Sequence, residues 1–200
     1  MFSAGIALAQ TAPVAPPHVG RHASTPEDIR AIEKVVADFQ AALIAKDVKL
    51  LSSLMLHTNI LFASPADDAF IQKMRDTTDV HFDGVAAAGY VGFANYIKRE
   101  PLRTEEKFYN VKITQDRHVA WVNFDYEFLV GDKLSNYGVE AWQMVKRDGQ
   151  WKILSVVWSM HAAAEAAKYG RCQRRSVQSC LLIIFSHRLY FQWACRHASK

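Results

Sequence analysis

The sequence predicts an α+β fold in which three N-terminal helices pack on one face of a curved, mostly antiparallel sheet, closing into a cone. Three observations carry that reading. Apolar residues recur every three or four positions from Ile29 to Leu43, the pattern of a one-faced helix. From Phe108 onward the period changes to two, the pattern of half-buried strands. Gly131-Asp132 and Asp148-Gly149 then punctuate the strand region where hairpins need a positive φ.

The elements follow in order. Thr25-Pro26-Glu27-Asp28 opens the first helix, with Thr25 as cap, Pro26 in the first turn and two acids at the positive end of the helix dipole. It runs to about Lys46, and Asp47 caps a short second helix through Leu50, Leu51 and Leu54. Asn59 to Ser64 reads as a short strand closed by Pro65. Residues 66–79 are polar and read as loop with a helical turn, and Val80-His81-Phe82 as a small strand. The third helix spans Tyr90 to Glu100 and is stopped by Pro101. Four long strands complete the domain: Phe108–Gln115, His118–Val130, Leu134–Lys146 and Gln150–His161.

Charge divides the 200 residues into three parts. Residues 1–23 hold one base, Arg21, and no acid; 162–200 hold seven Lys/Arg and one acid, Glu165; the middle, 24–161, holds 16 bases and 19 acids. The net charge of +4 therefore belongs to the tail, and a net-acidic domain carries no electrostatic footprint for nucleic acid. No apolar run is long enough for a membrane span. The three cysteines, Cys172, Cys180 and Cys195, all fall in the tail and do not build a disulfide scaffold. Ala7-Leu8-Ala9 has the small-x-small pattern of a signal-peptidase cut, without a basic region before it. Residues 1–23 thus read either as the back of a truncated export signal or as an apolar leader, followed by a Pro-rich linker. The first implies a periplasmic or secreted protein, the second a cytoplasmic one. Residues 162–200 lose all periodicity and read as a disordered or non-native extension, with a basic membrane-touching tail as the competing reading.

Within 24–161 this order of elements resembles the nuclear transport factor 2-like superfamily, which includes ketosteroid isomerases, SnoaL-like polyketide cyclases and scytalone dehydratases. The resemblance rests on the capped first helix ending in Ala45-Lys46-Asp47, the Ala63-Ser64-Pro65 strand end, and the closing hairpin from Trp142 to Ser159. It implies an apolar cavity between the helices and the concave sheet face. By similarity Leu154, Val156 and Trp158 line that cavity, and Trp151, Ile153, Ser155 and Val157 lie outside it. Trp121, Trp142, Trp151 and Val157 would then make an apolar outer face buried in a homodimer.

The resemblance also locates the isomerase machinery, and this chain lacks it. The carboxylate base falls at Ser64, the oxyanion-hole Tyr at Phe39, and the oxyanion-hole Asp near Ala141. A Ser hydroxyl is no base near neutral pH and Phe has no proton to donate. Among other polar groups, Tyr126 and Gln143 are read onto the apolar faces of their strands; Tyr90, Asn95, Tyr96 and His81 come from the third helix and the segment before it, and His57 precedes the first strand. His81, Tyr96 and Tyr126 are the catalytic candidates; Phe39, Ser64, Phe93, Phe124, Gln143, Val156 and Trp158 are the ligand-binding candidates. Asp125 and Glu127 are assigned to the outer face. No cofactor is implied. In 24–161 the histidines show no HxxxH or HxH spacing and no Cys accompanies them, so no metal is expected; GxSxG and phosphate-loop motifs are absent. Two functions follow. One is a cavity protein for a small apolar or aromatic molecule, acting as a metal-independent lyase, cyclase or isomerase. The other is a non-catalytic homodimeric association or carrier domain whose cavity is plugged by Phe39, Phe93, Phe124 and Trp158.

Overall fold

A computed structural model of the chain describes residues 14–21, 24–86 and 89–163. The leader reading of residues 1–13 and the tail reading beyond 163 lie outside the described residues.

Helix α1 (Pro26–Ala45) starts as the sequence requires: Thr25 is extended and its hydroxyl accepts from the Asp28 amide, while Lys46 ends the helix in the left-handed region. Helix α2 (Val48–Leu54) is capped by Asp47, whose carboxylate accepts from the Leu50 amide at 2.8 Å. Then follow β1 (Leu61–Pro65), α3 (Asp68–Thr77), β2 (Val85–Ala86) and α4 (Gly89–Arg99). Residues 66–79, expected as loop with a helical turn, hold the ten-residue helix α3, so there are four helices where three were expected. Val80-His81-Phe82 forms a turn, and the small strand lies a few residues later at Val85.

The long strands are β3 (Thr104–Gln115), β4 (Val119–Val130), β5 (Lys133–Arg147) and β6 (Gln150–Trp158), with a short β7 (His161–Ala162). The sheet order is β2-β1-β6-β5-β4-β3, with β7 on β5. All pairings are antiparallel except β1 with β6. Two-residue turns at Gly131-Asp132 and Asp148-Gly149 join β4 to β5 and β5 to β6, with positive φ at Gly131, Asp148 and Gly149. Among the described residues no helix is long and apolar enough to cross a membrane.

The concave face is covered by α1. Ile32, Val35, Val36, Phe39, Ala42 and Leu43 are buried against the sheet and α2. Three side-chain bonds peg α1 antiparallel along β3: Gln115 Nε2 donates to Ser24 Oγ (2.8 Å), Gln40 Nε2 to the Glu106 carbonyl (2.8 Å), and Thr104 Oγ1 to the Leu43 carbonyl (3.0 Å). At its start, Asp28 is buried and accepts from Lys146 Nζ (2.6 Å) and Trp151 Nε1 (3.0 Å), tying the helix to the β5–β6 hairpin.

The structure corrects the two sequence-derived strand faces. On β5 the buried side is Glu140, Trp142 and Met144, so Trp142 faces the helices and Gln143 is exposed on the outer face. On β6 the pairing steps from Met144↔Ile153 to Gln143↔Ser155, leaving Leu154 as a bulge. Before the bulge Trp151 and Ile153 turn to the core; after it Val156 and Trp158 do. A uniform alternation cannot place both sets, which is why Trp151 and Ile153 were expected outside and Leu154 inside. Trp121 and Val157 lie on the outer face as expected, with Trp121 46% exposed. After β6 the chain turns back over Gly138, where an added Cβ would lie 2.2 Å from the Ser159 carbonyl oxygen.

Asp28 accepts from a cation and two further donors, led by Lys146, which hold its carboxyl below the ordinary value of 3.8. A depressed carboxyl contributes stability above its unfolded pKa and loses it as pH falls through the folded one. Asp28→Ala also leaves the buried Trp151 N–H without its acceptor. It is expected to cost about 2–3 kcal/mol at pH 7 by urea denaturation, with the gap narrowing below about pH 3.8.

Candidate functional site

Between α1, α4 and the open end of the sheet lies a cavity of about 200 Å³. Aromatic rings form most of its wall: Phe39 from α1, Phe62 from β1, Phe93 and Tyr96 from α4, Phe128 from β4 and Trp158 from β6. They are packed on one another, with ring centres 4.9 Å apart for Phe62–Phe93, 5.0 Å for Phe62–Trp158 and 6.3 Å for Phe39–Phe93. Tyr126, Ser135, Asn136 and Met160 complete the lining with two carboxyls, Glu106 and Glu140. Tyr96 and Met160 are exposed and mark the mouth.

The two glutamates are the chemistry of this wall. Cross-strand pairing places them: Glu106 stands opposite Phe128, and Glu140 opposite Phe124 and Trp158. Their exposures are 5% and 4%. Their carboxyls are hydrogen-bonded to each other, and Glu140 also accepts from the Trp142 indole N–H. Burial raises Glu106 well above the ordinary carboxyl range, and the charge of Glu140 raises it further. Burial pushes Glu140 up to about 7, opposed by the bonds from Trp142 and Glu106. The Trp142 N–H on Glu140 favours the charged form of that carboxyl over the charged form of Glu106, and burial raises both above the ordinary range.

Tyr126 lies beside them. Its hydroxyl lies 2.9 Å from both Asn136 Oδ1 and the Ser159 carbonyl, which share its one proton. Burial, with the neighbouring Glu106 and Glu140, drives its pKa upward and keeps the phenol protonated. Tyr96 is raised by partial burial and by Glu100.

Of the sequence-derived candidates, Phe39, Phe93, Tyr96, Tyr126 and Trp158 are brought together around this cavity. Phe124 and Val156 are buried behind it, Phe124 with its ring 4.1 Å from Phe108 and 5.2 Å from Trp142. Ser64 is buried at the end of β1 and donates to the Pro65 carbonyl, outside the lining. His81 is exposed on the turn after α3, with its amide on the Asp79 carboxylate, and is not among the lining residues. Gln143 is on the opposite face of the sheet, where its Oε1 accepts from Ser155. Asp125 and Glu127 lie on the outer face as expected, accepting from Asn110 and Tyr109.

Sequence reasoning missed Phe62, Glu106 and Glu140. The Asp position sought near Ala141 is one residue from Glu140; Ala141 itself points outward and is exposed. Counting back by twos from the buried Met144 and Trp142 reaches Glu140, and counting back from Phe108 reaches Glu106.

Comparison with solved structures agrees on the architecture. A cystatin-like-fold protein of unknown function from Nostoc punctiforme superposes with a TM-score of 0.50 at 13% identity, over 70% of this chain and 95% of that one. A protein of unknown function from Shewanella baltica, described as nuclear transport factor 2-like, does so with 0.50 at 12% identity, over 70% and 99%. The fold is nuclear transport factor 2-like. A provisionally assigned scytalone dehydratase from Novosphingobium aromaticivorans shares this nuclear transport factor 2-like fold, with a TM-score of 0.51 at 19% identity over 68% of this chain and 85% of that one. No family model and no curated relative matches the sequence.

Because the carboxyl pair titrates above the ordinary glutamate value of 4.5, the folded protein holds more protons than the unfolded chain between there and about 7. Its contribution to stability is greatest below pH 4.5 and falls as pH rises through that window. Glu140→Gln removes the charge and keeps an acceptor for the Trp142 N–H. The variant is expected to be more stable than the parent at pH 8.5, by on the order of 3 kcal/mol, with the difference narrowing toward pH 5 in thermal or urea unfolding.

Proposed function

We propose that this chain is a small-molecule-binding cavity protein that carries out metal-independent proton transfer, of the isomerase, lyase or cyclase type. The observation that carries this reading is the pair Glu106–Glu140: two buried carboxyls in one apolar wall, both raised above the ordinary carboxyl range by that burial. Glu140 takes a proton and Glu106 gives one, each within the same cavity; Tyr126 and Tyr96 supply hydroxyls to the bound molecule. The residues lost from the isomerase pattern, at Ser64 and Phe39, are replaced in this reading by an acid–base pair set on different strands. A solved neighbour provisionally assigned as a scytalone dehydratase supports the choice of a proton-transfer class.

Size narrows the substrate. An apolar cavity of about 150 Å³ holds benzene, and this one measures about 200 Å³. It suits one substituted aromatic ring and is small for a steroid, since drug-sized ligands need ~300 Å³ or more. Phe39, Phe93 and Trp158 narrow the cavity without filling it.

The full chain, incubated with acetophenone in deuterium oxide, is expected to accelerate exchange of the methyl hydrogens, read by NMR. Glu140→Gln should lower that rate by about a hundredfold or more. A thermal shift without exchange would favour the carrier reading; neither shift nor exchange would favour the plugged association domain. We also propose that the outer sheet face, with Trp121, Val139 and Val157 exposed, is a homodimer surface. Light scattering at micromolar concentration should give twice the 22.6 kDa chain mass.

A further inference from the structure

We infer that the cavity selects a ring-sized molecule carrying a compact positive charge, such as an arylalkyl ammonium, with the ring against the aromatic wall and the ammonium on the Glu106–Glu140 pair. This rests on the proposed reading that the cavity takes a single ring, and adds the charge of the ligand to it.

The wall is built for a cation in three respects. It holds two carboxyls that are at least nine-tenths buried, and among the described residues that line it none is Lys, Arg or His. A buried carboxylate with no cation beside it is costly, so the pair meets that cost by retaining protons. An ammonium group placed there would substitute for the proton that Glu140 otherwise takes up.

The second respect is hydrogen-bond polarity. The single Tyr126 proton is shared between Asn136 Oδ1 and the Ser159 carbonyl, which leaves its oxygen to act toward a ligand as an acceptor. The Trp142 N–H is spent on Glu140. The two carboxyls and the Tyr126 oxygen offer acceptors to the three N–H groups of an ammonium, and the carboxyl pair repels a carboxylate. Third, Phe39, Phe62, Phe93, Phe128 and Trp158 present ring faces and edges around the site, and ring faces attract a desolvated cation.

The groups that bear on the pair come from each neighbouring element: Tyr126 from β4, Tyr96 from α4, the Trp142 N–H from β5, and the uncharged Phe39 from α1. Of these the tyrosines are raised and stay neutral, so the pair itself sets the pH response. Below neutral pH both carboxyls hold protons and an arriving ammonium must release one to solvent. Above neutral pH the negative charge is already present.

The test is calorimetric titration of the full chain with benzylammonium, benzyl alcohol and benzoate at pH 6 and pH 8.5. At pH 8.5 benzylammonium should bind at least about tenfold more tightly than benzyl alcohol, with benzoate weaker than either. The advantage should shrink by about tenfold at pH 6, one unit below the value of about 7 to which Glu140 is raised. Proton release should appear there as a binding heat that changes with the buffer. Glu140→Gln should lose the preference for the cation, its ratio of ammonium to alcohol affinity falling to about one. Equal binding of alcohol and ammonium, or preference for benzoate, would overturn the inference and leave the cavity reading standing; binding of none of the three would overturn both. If Glu140→Gln does not fold, the parent protein decides: a cation preference unchanged between pH 6 and pH 8.5 overturns the inference.

Discussion

The contact of Phe39 with Trp142, ring centres 4.9 Å apart, closes the cone, and the site depends on it. It holds α1 down on the concave sheet at the level where Glu140 emerges. The packing around it excludes water from the carboxyl pair, and that exclusion raises two ordinary glutamates above the usual carboxyl range. The pegs along β3 and the Asp28 anchor on the hairpin keep the helix in this position along its whole length. The stability of the helix–sheet contact and the chemistry of the pair are therefore one property: loosening the first would let water reach the second and return both carboxyls toward their ordinary values.

Much of the architecture was legible in the sequence because it is written in local signals. The Thr25 cap, the stripe from Ile32 to Leu43, the change of period and the Asp148-Gly149 turn each fix an element without reference to the rest. The α3 helix was missed because residues 66–79 are polar and carry only a thin apolar stripe, so they look like loop in the sequence. The site was harder for a different reason. In β5 and β6 both faces carry large apolar side chains, and the phase of the alternation is set by the bulge at Leu154 and by pairing with β4, which no single strand reveals. A phase error of one residue exchanged Gln143 for Glu140 and sent Trp142 to the wrong side. Glu106 was missed because its strand begins earlier than the alternation from Phe108 suggests.

The nuclear transport factor 2-like fold gives a cavity, and the chemistry comes from which strand positions point into it. Here the places where the isomerase pattern puts its acidic and phenolic groups hold Ser64 and Phe39, and neither offers a proton-transfer group to the cavity. The acids that line this cavity are Glu106 and Glu140, two inward strand positions on either side of β4, with Glu140 one residue from the third position of that pattern, near Ala141.

Gly138 has a consequence for the mouth of this cavity. The backbone after Trp158 crosses so close above it that a single methyl at 138 would displace Ser159 and carry Met160, at the mouth, along with it. The width of the entrance is therefore inherited from a main-chain crossing, and the lining side chains inherit only its polarity. A side chain at 138 would therefore reshape the entrance and leave the aromatic and carboxyl wall unchanged.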